Sequence, residues 1–158
     1  MDTFVNPNTD VSQGGGWARE PASGNWYDKI DEGAVPDPAD YVWHNGSEAS
    51  SILFGLAAPT FGGSSSKVSI FVNGSYGGNP LYIDLKANGV WQGRQQVNFV
   101  GGNATIEFAG VWTQAELAAM QVEVYSGENN DSGSQVNCLM AGVTYDYALG
   151  TQEIQGTD

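Results

Sequence analysis

Histidine and cysteine are nearly absent, with one of each, His44 and Cys138, in 158 residues. A lone cysteine excludes a disulfide within the chain, and the apolar run around Cys138 marks it as a small buried hydrophobe. Two such residues are too few for a zinc site of standard type. Cations are scarce as well: Arg19, Lys29, Lys67, Lys86 and Arg94 face 18 Asp and Glu, for a net charge of −13. That surface repels phosphate backbones and anionic lipid, so nucleic acid and membrane surfaces are poor partners. No apolar run approaches the roughly 18 residues of a membrane-spanning helix, and residues 1–10 lack the basic-then-apolar pattern of a secretory signal.

Catalytic patterns are missing too. There is no Gly-x-Ser-x-Gly elbow, and Gly62-Gly63 leads to a strand rather than to the lysine-bearing helix of a phosphate loop. His44 follows Tyr41-Val42-Trp43 into an Asn45-Gly46 turn, the place of a structural histidine at a strand end. No catalytic residue is assigned, and the chain is expected not to be an enzyme.

What the chain has is alternation. Val68, Ile70 and Val72, then Leu81, Ile83 and Leu85, then Val97 and Phe99, Ile106 and Phe108, Val122 and Val124, and Val143, Tyr145, Tyr147 and Leu149 repeat with a period of two. Successive strand side chains point to opposite faces, so this is the pattern of sheets with one face buried and one wet. It predicts an all-β antiparallel sandwich or jelly roll forming a single domain over 1–158, with 1–25 and 150–158 as extended arms. Asn73-Gly74, Asn88-Gly89 and Gly101-Gly102-Asn103 read as tight turns. Phe4 and Val5 can form an edge strand, while Pro7 breaks longer pairing. Gln13 to Asn25 reads as a loop around a buried Trp17, and 26–32 as a single helical turn. The one helix is expected at Thr113–Met120, with Thr113 and Glu116 at capping-box spacing. Gln135 to Leu149, apolar on both faces in its first half, is expected in the middle of a sheet.

Carboxylates and aromatics supply the remaining chemistry. Asp28, Asp31, Asp37 and Asp40 lie on a turn-rich segment where oxygen ligands can hold calcium, although EF-hand spacing is absent; a solvated acidic loop is the plainer alternative, and no other cofactor is expected. The five Trp and seven Tyr either fill core and subunit contacts or build a sugar-stacking platform. Phe4, Val5, Trp17, Trp26, Tyr27, Trp91 and Trp112 are the candidate contact residues.

Asp10-Val11-Ser12, Gly16-Trp17, the block Trp26-Tyr27-Asp28-Lys29-Ile30-Asp31-Glu32, and Pro36-Asp37-Pro38-Ala39-Asp40-Tyr41-Val42 together resemble the opening of small accessory proteins of tailed-bacteriophage virions. The later Thr113–Leu117 and Val122–Val124 segments are similar in layout, whereas Pro38 stands where that pattern has an acid. The resemblance implies a β-sandwich that decorates or cements the head shell. Its partners would be the major capsid protein or other virion subunits, in a homo-oligomer such as a trimer. It would be made in the host cytoplasm and carried on the virion head surface. The alternative is a tail-fibre or carbohydrate-binding module for host attachment.

Overall fold

The computed structural model describes residues 1–31, 37–46, 48–75, 77, 80–127 and 134–146. Twelve strands run through them: β1 (Asp2–Val5), β2 (Pro7–Gln13), β3 (Trp17–Glu20), β4 (Tyr41–His44), β5 (Ser50–Leu56), β6 (Ser65–Ser75), β7 (Leu81–Ala87), β8 (Val90–Trp91), β9 (Gln95–Gln96), β10 (Asn103–Ala109), β11 (Gln121–Ser126) and β12 (Ser134–Tyr145). Sheet A has the order β10-β6-β12-β4-β3, with β1 also on β12, and sheet B the order β2-β5-β11-β7-β8, with β9 also on β7. Every pairing is antiparallel. The fold is the expected β-sandwich.

The alternation places the core between the sheets. Val68, Ile70 and Val72 of β6 and Leu139, Ala141 and Val143 of β12 meet Ile52 and Phe54 of β5, Leu81, Ile83 and Leu85 of β7, and Val122 and Val124 of β11. Burying each Val, Leu, Ile or Phe contributes about 1.5–3 kcal/mol, so this shared layer holds both sheets. As expected, β12 lies inside its sheet: β6 runs along one edge, and β4 and β1 share the other. Among the described residues no helix is long and apolar enough to cross a membrane.

Several local expectations are corrected. The segment 113–120 is a compact turn rather than a helix. Its capping box does form, Thr113 N–H donating to Glu116 Oε2 (2.9 Å) and Glu116 N–H to Thr113 Oγ1 (3.3 Å). Propagation fails because the Glu116 carbonyl accepts from Asn88 N–H (3.1 Å) and the Met120 carbonyl from Leu56 N–H (3.0 Å). A nucleus of one turn whose carbonyls are bonded elsewhere does not extend. Asn73-Gly74 lies within β6, not in a turn. A Cβ at Gly74 would stand 2.2 Å from the Gln135 carbonyl oxygen, so the glycine serves close strand approach beside the bulge in β12. Asn88-Gly89 is the expected two-residue hairpin, with φ of 50° and 75°. The strand expected at 97–100 is absent apart from an isolated bridge at Val100, and the short β9 lies just before it.

Residues 1–25, expected as an arm, supply β1, β2 and β3 to the two sheets. Pro7 opens β2 instead of ending the pairing; proline's missing N–H is tolerated at the first position of a strand. Trp17 is buried as expected, but inside β3 and not in a loop. The turn expected at 26–32 is a 3-10 turn at Tyr27–Lys29. Tyr147, Leu149 and the tail 150–158 fall outside the described residues.

Candidate functional site

The outward half of sheet B's alternation carries the chemistry. On β7, Leu81, Ile83 and Leu85 point inward, which turns Tyr82, Asp84 and Lys86 outward. On β11, Val122 and Val124 point inward, and Gln121, Glu123 and Tyr125 outward. The register sets Tyr82 beside Tyr125, Asp84 beside Glu123, and Lys86 between Gln121 and Trp91. The two tyrosine rings lie 5.9 Å apart, tilted by 59°. Trp91, 38% exposed, has the Lys86 ammonium 5.7 Å over its ring. Four residues of strand separate the Tyr82 row from the Lys86–Trp91 row, about 13 Å at strand rise.

Charged groups fix the span between these aromatic stations. The Arg94 guanidinium lies 3.9 Å over the Tyr125 ring. Its Nε and Nη2 donate to Glu123 Oε1 (2.6 Å) and Oε2 (3.1 Å), and Ser51 Oγ donates to Oε2 (2.8 Å). Burial pushes the Glu123 carboxyl up, but the bonds from Arg94 and Ser51 and the charge of Arg94 outweigh it and hold it below the usual carboxylate range. The bond to Glu123 raises Arg94 in turn. Asp84 Oδ1 accepts from the amides of Leu85 (2.8 Å), Gln92 (3.1 Å) and Gly93 (2.8 Å), which ties the segment carrying Arg94 to the sheet. Such a face can stack the apolar side of sugar rings on Tyr82 and Trp91, and bond their hydroxyls to the half-exposed Arg94 guanidinium, while the buried Asp84 and nearly buried Glu123 hold that arginine and its segment in place.

The sequence singled out few of these residues. Trp91 is on this face. Trp17 is 8% exposed and meets the His44 ring edge-on at 5.0 Å. Trp26 lies under the Arg19 guanidinium at 4.8 Å. Val5 is in the core, Trp112 packs partly against it, and Phe4 stands on the outside of sheet A. Tyr27 sits on a turn whose start is held by Asp10: its two oxygens accept from the amides of Trp26 (2.9 Å) and Tyr27 (2.8 Å). The motif joining Asp10 to the Trp26 block is thus a structural clasp, closed further by Leu139 N–H donating to the Ile30 carbonyl (2.9 Å). Tyr82, Asp84, Arg94, Glu123 and Tyr125 were missed. Their signal was present in the polar half of Leu81-Tyr82-Ile83-Asp84-Leu85-Lys86, which pairs aromatics with charges on one side.

The acidic residues do local work. Asp28 Oδ2 accepts from Asn25 N–H (3.3 Å) and its side-chain amide (3.1 Å), and Asp37 Oδ1 accepts from Ala39 N–H (2.9 Å). Burial, then the charge of Asp28, pushes the Asp31 carboxyl up. Among the described residues no three of His, Cys, Asp and Glu, Asp40 included, converge as a metal ion needs.

His44 is 1% exposed. Its Nδ1 accepts from Gly46 N–H (3.0 Å), so Nε2 carries the proton and faces Ser50 Oγ at 3.2 Å. The Ser50 hydroxyl donates to the Gly15 carbonyl. A serine nucleophile needs its proton taken by the imidazole, and here the bond runs the other way. Burial lowers the His44 pKa from its ordinary value, which keeps the ring neutral.

No protein-family model and no curated protein sequence matches the chain. Among solved structures it is similar to a family 35 carbohydrate binding module from Clostridium thermocellum, with 14% identity over 92% of this chain and 99% of that one, at a TM-score of 0.49. It is also similar to the CBM35 from Cellvibrio japonicus Abf62, with 15% identity, 92% and 95% coverage, and a TM-score of 0.45. A third likeness is to the infectious bursal disease virus Gt strain, at 12% identity, 90% of this chain, 32% of that one and a TM-score of 0.34.

Proposed function

We propose that this chain is a non-catalytic carbohydrate-binding β-sandwich that docks a glycan along the outer face of sheet B. One observation carries the reading: Tyr82–Tyr125 and Trp91 stand at two stations of one solvent-facing surface, with Asp84, Glu123 and Arg94 fixed between them. None of these rings is needed to fill the core, which the inward half of each strand already supplies. On a phage particle, such a face would serve attachment to the host surface. The test is native gel electrophoresis through a panel of soluble neutral polysaccharides. Wild-type protein is expected to be retarded by at least one of them, and Trp91→Ala and Tyr82→Ala to migrate as if in plain gel. Equal retardation of all three proteins would overturn the proposal.

A second reading, as a head decoration protein, draws on a different surface. Val100 and Val111 are 81% and 76% exposed and flank β10, an edge strand of sheet A. An outer strand with apolar neighbours suits addition to a strand of a shell subunit. Co-sedimentation with phage heads stripped of accessory proteins tests it: binding by wild type that Val100→Asp and Val111→Asp abolish supports it, and no co-sedimentation refutes it.

A further inference from the structure

Opposite the sheet B face, the outside of sheet A holds a recess. Strands β1, β12, β6 and β10 lie side by side there, and one row of the register reads Phe4, Gly142, Ser69, Glu107. The two central positions are small. A Cβ on Gly142 would lie 3.0 Å from Phe4 Cε1 and 3.0 Å from Phe71 Cε2, so the glycine is what lets the two rings converge, 6.2 Å apart at 51°. Beside the paired rings lies a depression of about 150 Å³, lined by Ser69 and Gly142 and bordered by Phe4, Phe71, Lys67 and Glu107. Phe4 is 54% exposed, its outward position set by the pairing that turns Val5 into the core.

The rim is polar. The Lys67 ammonium pairs with Glu107 (2.7 Å), and Asp2 accepts from the Thr144 hydroxyl (2.6 Å). A cavity of this volume holds about one six-membered ring. Two carboxylates and one ammonium around two phenyl faces fit a ring that is apolar on its flat side and hydroxylated at its edge. The same two carboxylates, on a chain of net charge −13, oppose an anionic ligand. We infer that this recess is a second glycan site, one that takes a single neutral pyranose residue over Ser69, against the paired rings of Phe4 and Phe71. It is independent of the sheet B face in its residues, and it makes the module bivalent, with one site on each side of the sandwich. Two weak sites on opposite faces bridge polysaccharide strands and raise overall retention well beyond either site alone.

Backbone amide NMR tests this by titrating glucose, galactose, mannose and N-acetylglucosamine into the full chain, with glucuronic acid as the charged control. At least one neutral sugar is expected to shift the amides of Ser69, Phe71 and Gly142 to saturation in the millimolar range. Gly142→Ala pushes against the far ends of the Phe4 and Phe71 rings and displaces them from the recess border, and Phe4→Ala removes an exposed part of that border. Each is expected to weaken those shifts about tenfold, the scale of one lost ring contact, while Trp91→Ala leaves them unchanged. No shift at these amides, shifts that survive both recess variants, or equal shifts with glucuronic acid would overturn the inference. Failure of the sheet B proposal looks different: the recess amides still respond, and the Tyr82 and Trp91 amides do not.

Discussion

The two outer faces of this sandwich rest on the same inner layer yet are built by opposite means. Sheet B adds mass to its outer side: two tyrosines, a tryptophan, and an arginine bolted to Glu123 over a ring. Sheet A removes it, leaving Ser69 and Gly142 in the middle of a row whose ends are large. One device gives a platform, the other a recess. Inward positions are under one demand, to be apolar and to fit. Outward positions are under a looser one: Asp84 still serves three backbone amides, but the exposed rings beside it have no such task, so they report what the face is for.

The largest way to break this contrast is to remove what the faces share. Phe54 is fully buried under sheet B against residues of both sheets. Phe54→Ala is expected to cost about 3–5 kcal/mol in urea unfolding. Tryptophan fluorescence and the amide signals of Gly142 are expected to report one common, shifted midpoint. Separate midpoints for the two probes would mean that the sheets hold together less tightly than the common core implies.

Asp84→Ala sharpens the contrast at the next scale. Its carboxylate oxygen serves the amides of Leu85, Gln92 and Gly93. Losing a buried acceptor for several amides costs about 1–3 kcal/mol. It also releases the segment that presents Arg94 to Tyr125, so polysaccharide retention by sheet B is expected to fall while sugar shifts in the sheet A recess persist. Loss of both together would show the faces to be coupled.

Titration separates the sheets again, with smaller effects. Glu123, on sheet B, is held below its ordinary value of 4.5, so its contribution is present above that pH and is lost as pH falls through the lowered value. His44, on sheet A, is also lowered, from 6.5, by burial. Between 6.5 and that lower value the unfolded chain binds a proton that the folded chain does not, so stability falls as pH drops through this window. Asp31 has the opposite sign: its raised value costs stability as pH rises through it. Urea midpoints taken from pH 7 to 3 are expected to decline in two stages, the lower one flattened by Glu123→Gln. An unchanged lower stage in that variant would remove Glu123 from the account.

The architecture was legible in the sequence because a period of two has one meaning: Leu81-x-Ile83-x-Leu85 and Val122-x-Val124 became inner faces as read. The N-terminal strands were hidden because glycine and proline around Trp17 are local turn signals, whereas β3 is set by pairing with β4, a partner more than twenty residues away. The helix at 113–120 failed in the same direction, since its capping signal was correct but tertiary partners took its carbonyls. Half of the candidate site was hidden by attention to tryptophan. Tyr82, Glu123 and Tyr125 sat in plain alternation, while the pairing of Arg94 with Glu123 joins residues 29 apart in sequence, a distance that no local pattern spans.

Trp91→Ala is expected to have the smallest effect on stability and the largest on binding. Trp91 ends a two-residue strand at the edge of sheet B, paired to β7 alone, and the residue is 38% exposed under the Lys86 ammonium. Surface changes of this kind stay within about 0.5 kcal/mol, so the urea midpoint should not move measurably. A ring that folding can spare, on a face where Tyr82 stands about 13 Å away along the strand, has a use only if something lies across both. Retention on polysaccharide is therefore expected to vanish while the unfolding curve overlays that of wild type. Should the curve shift with retention intact, Trp91 belongs to the fold, and the sheet B face loses its claim to be a site.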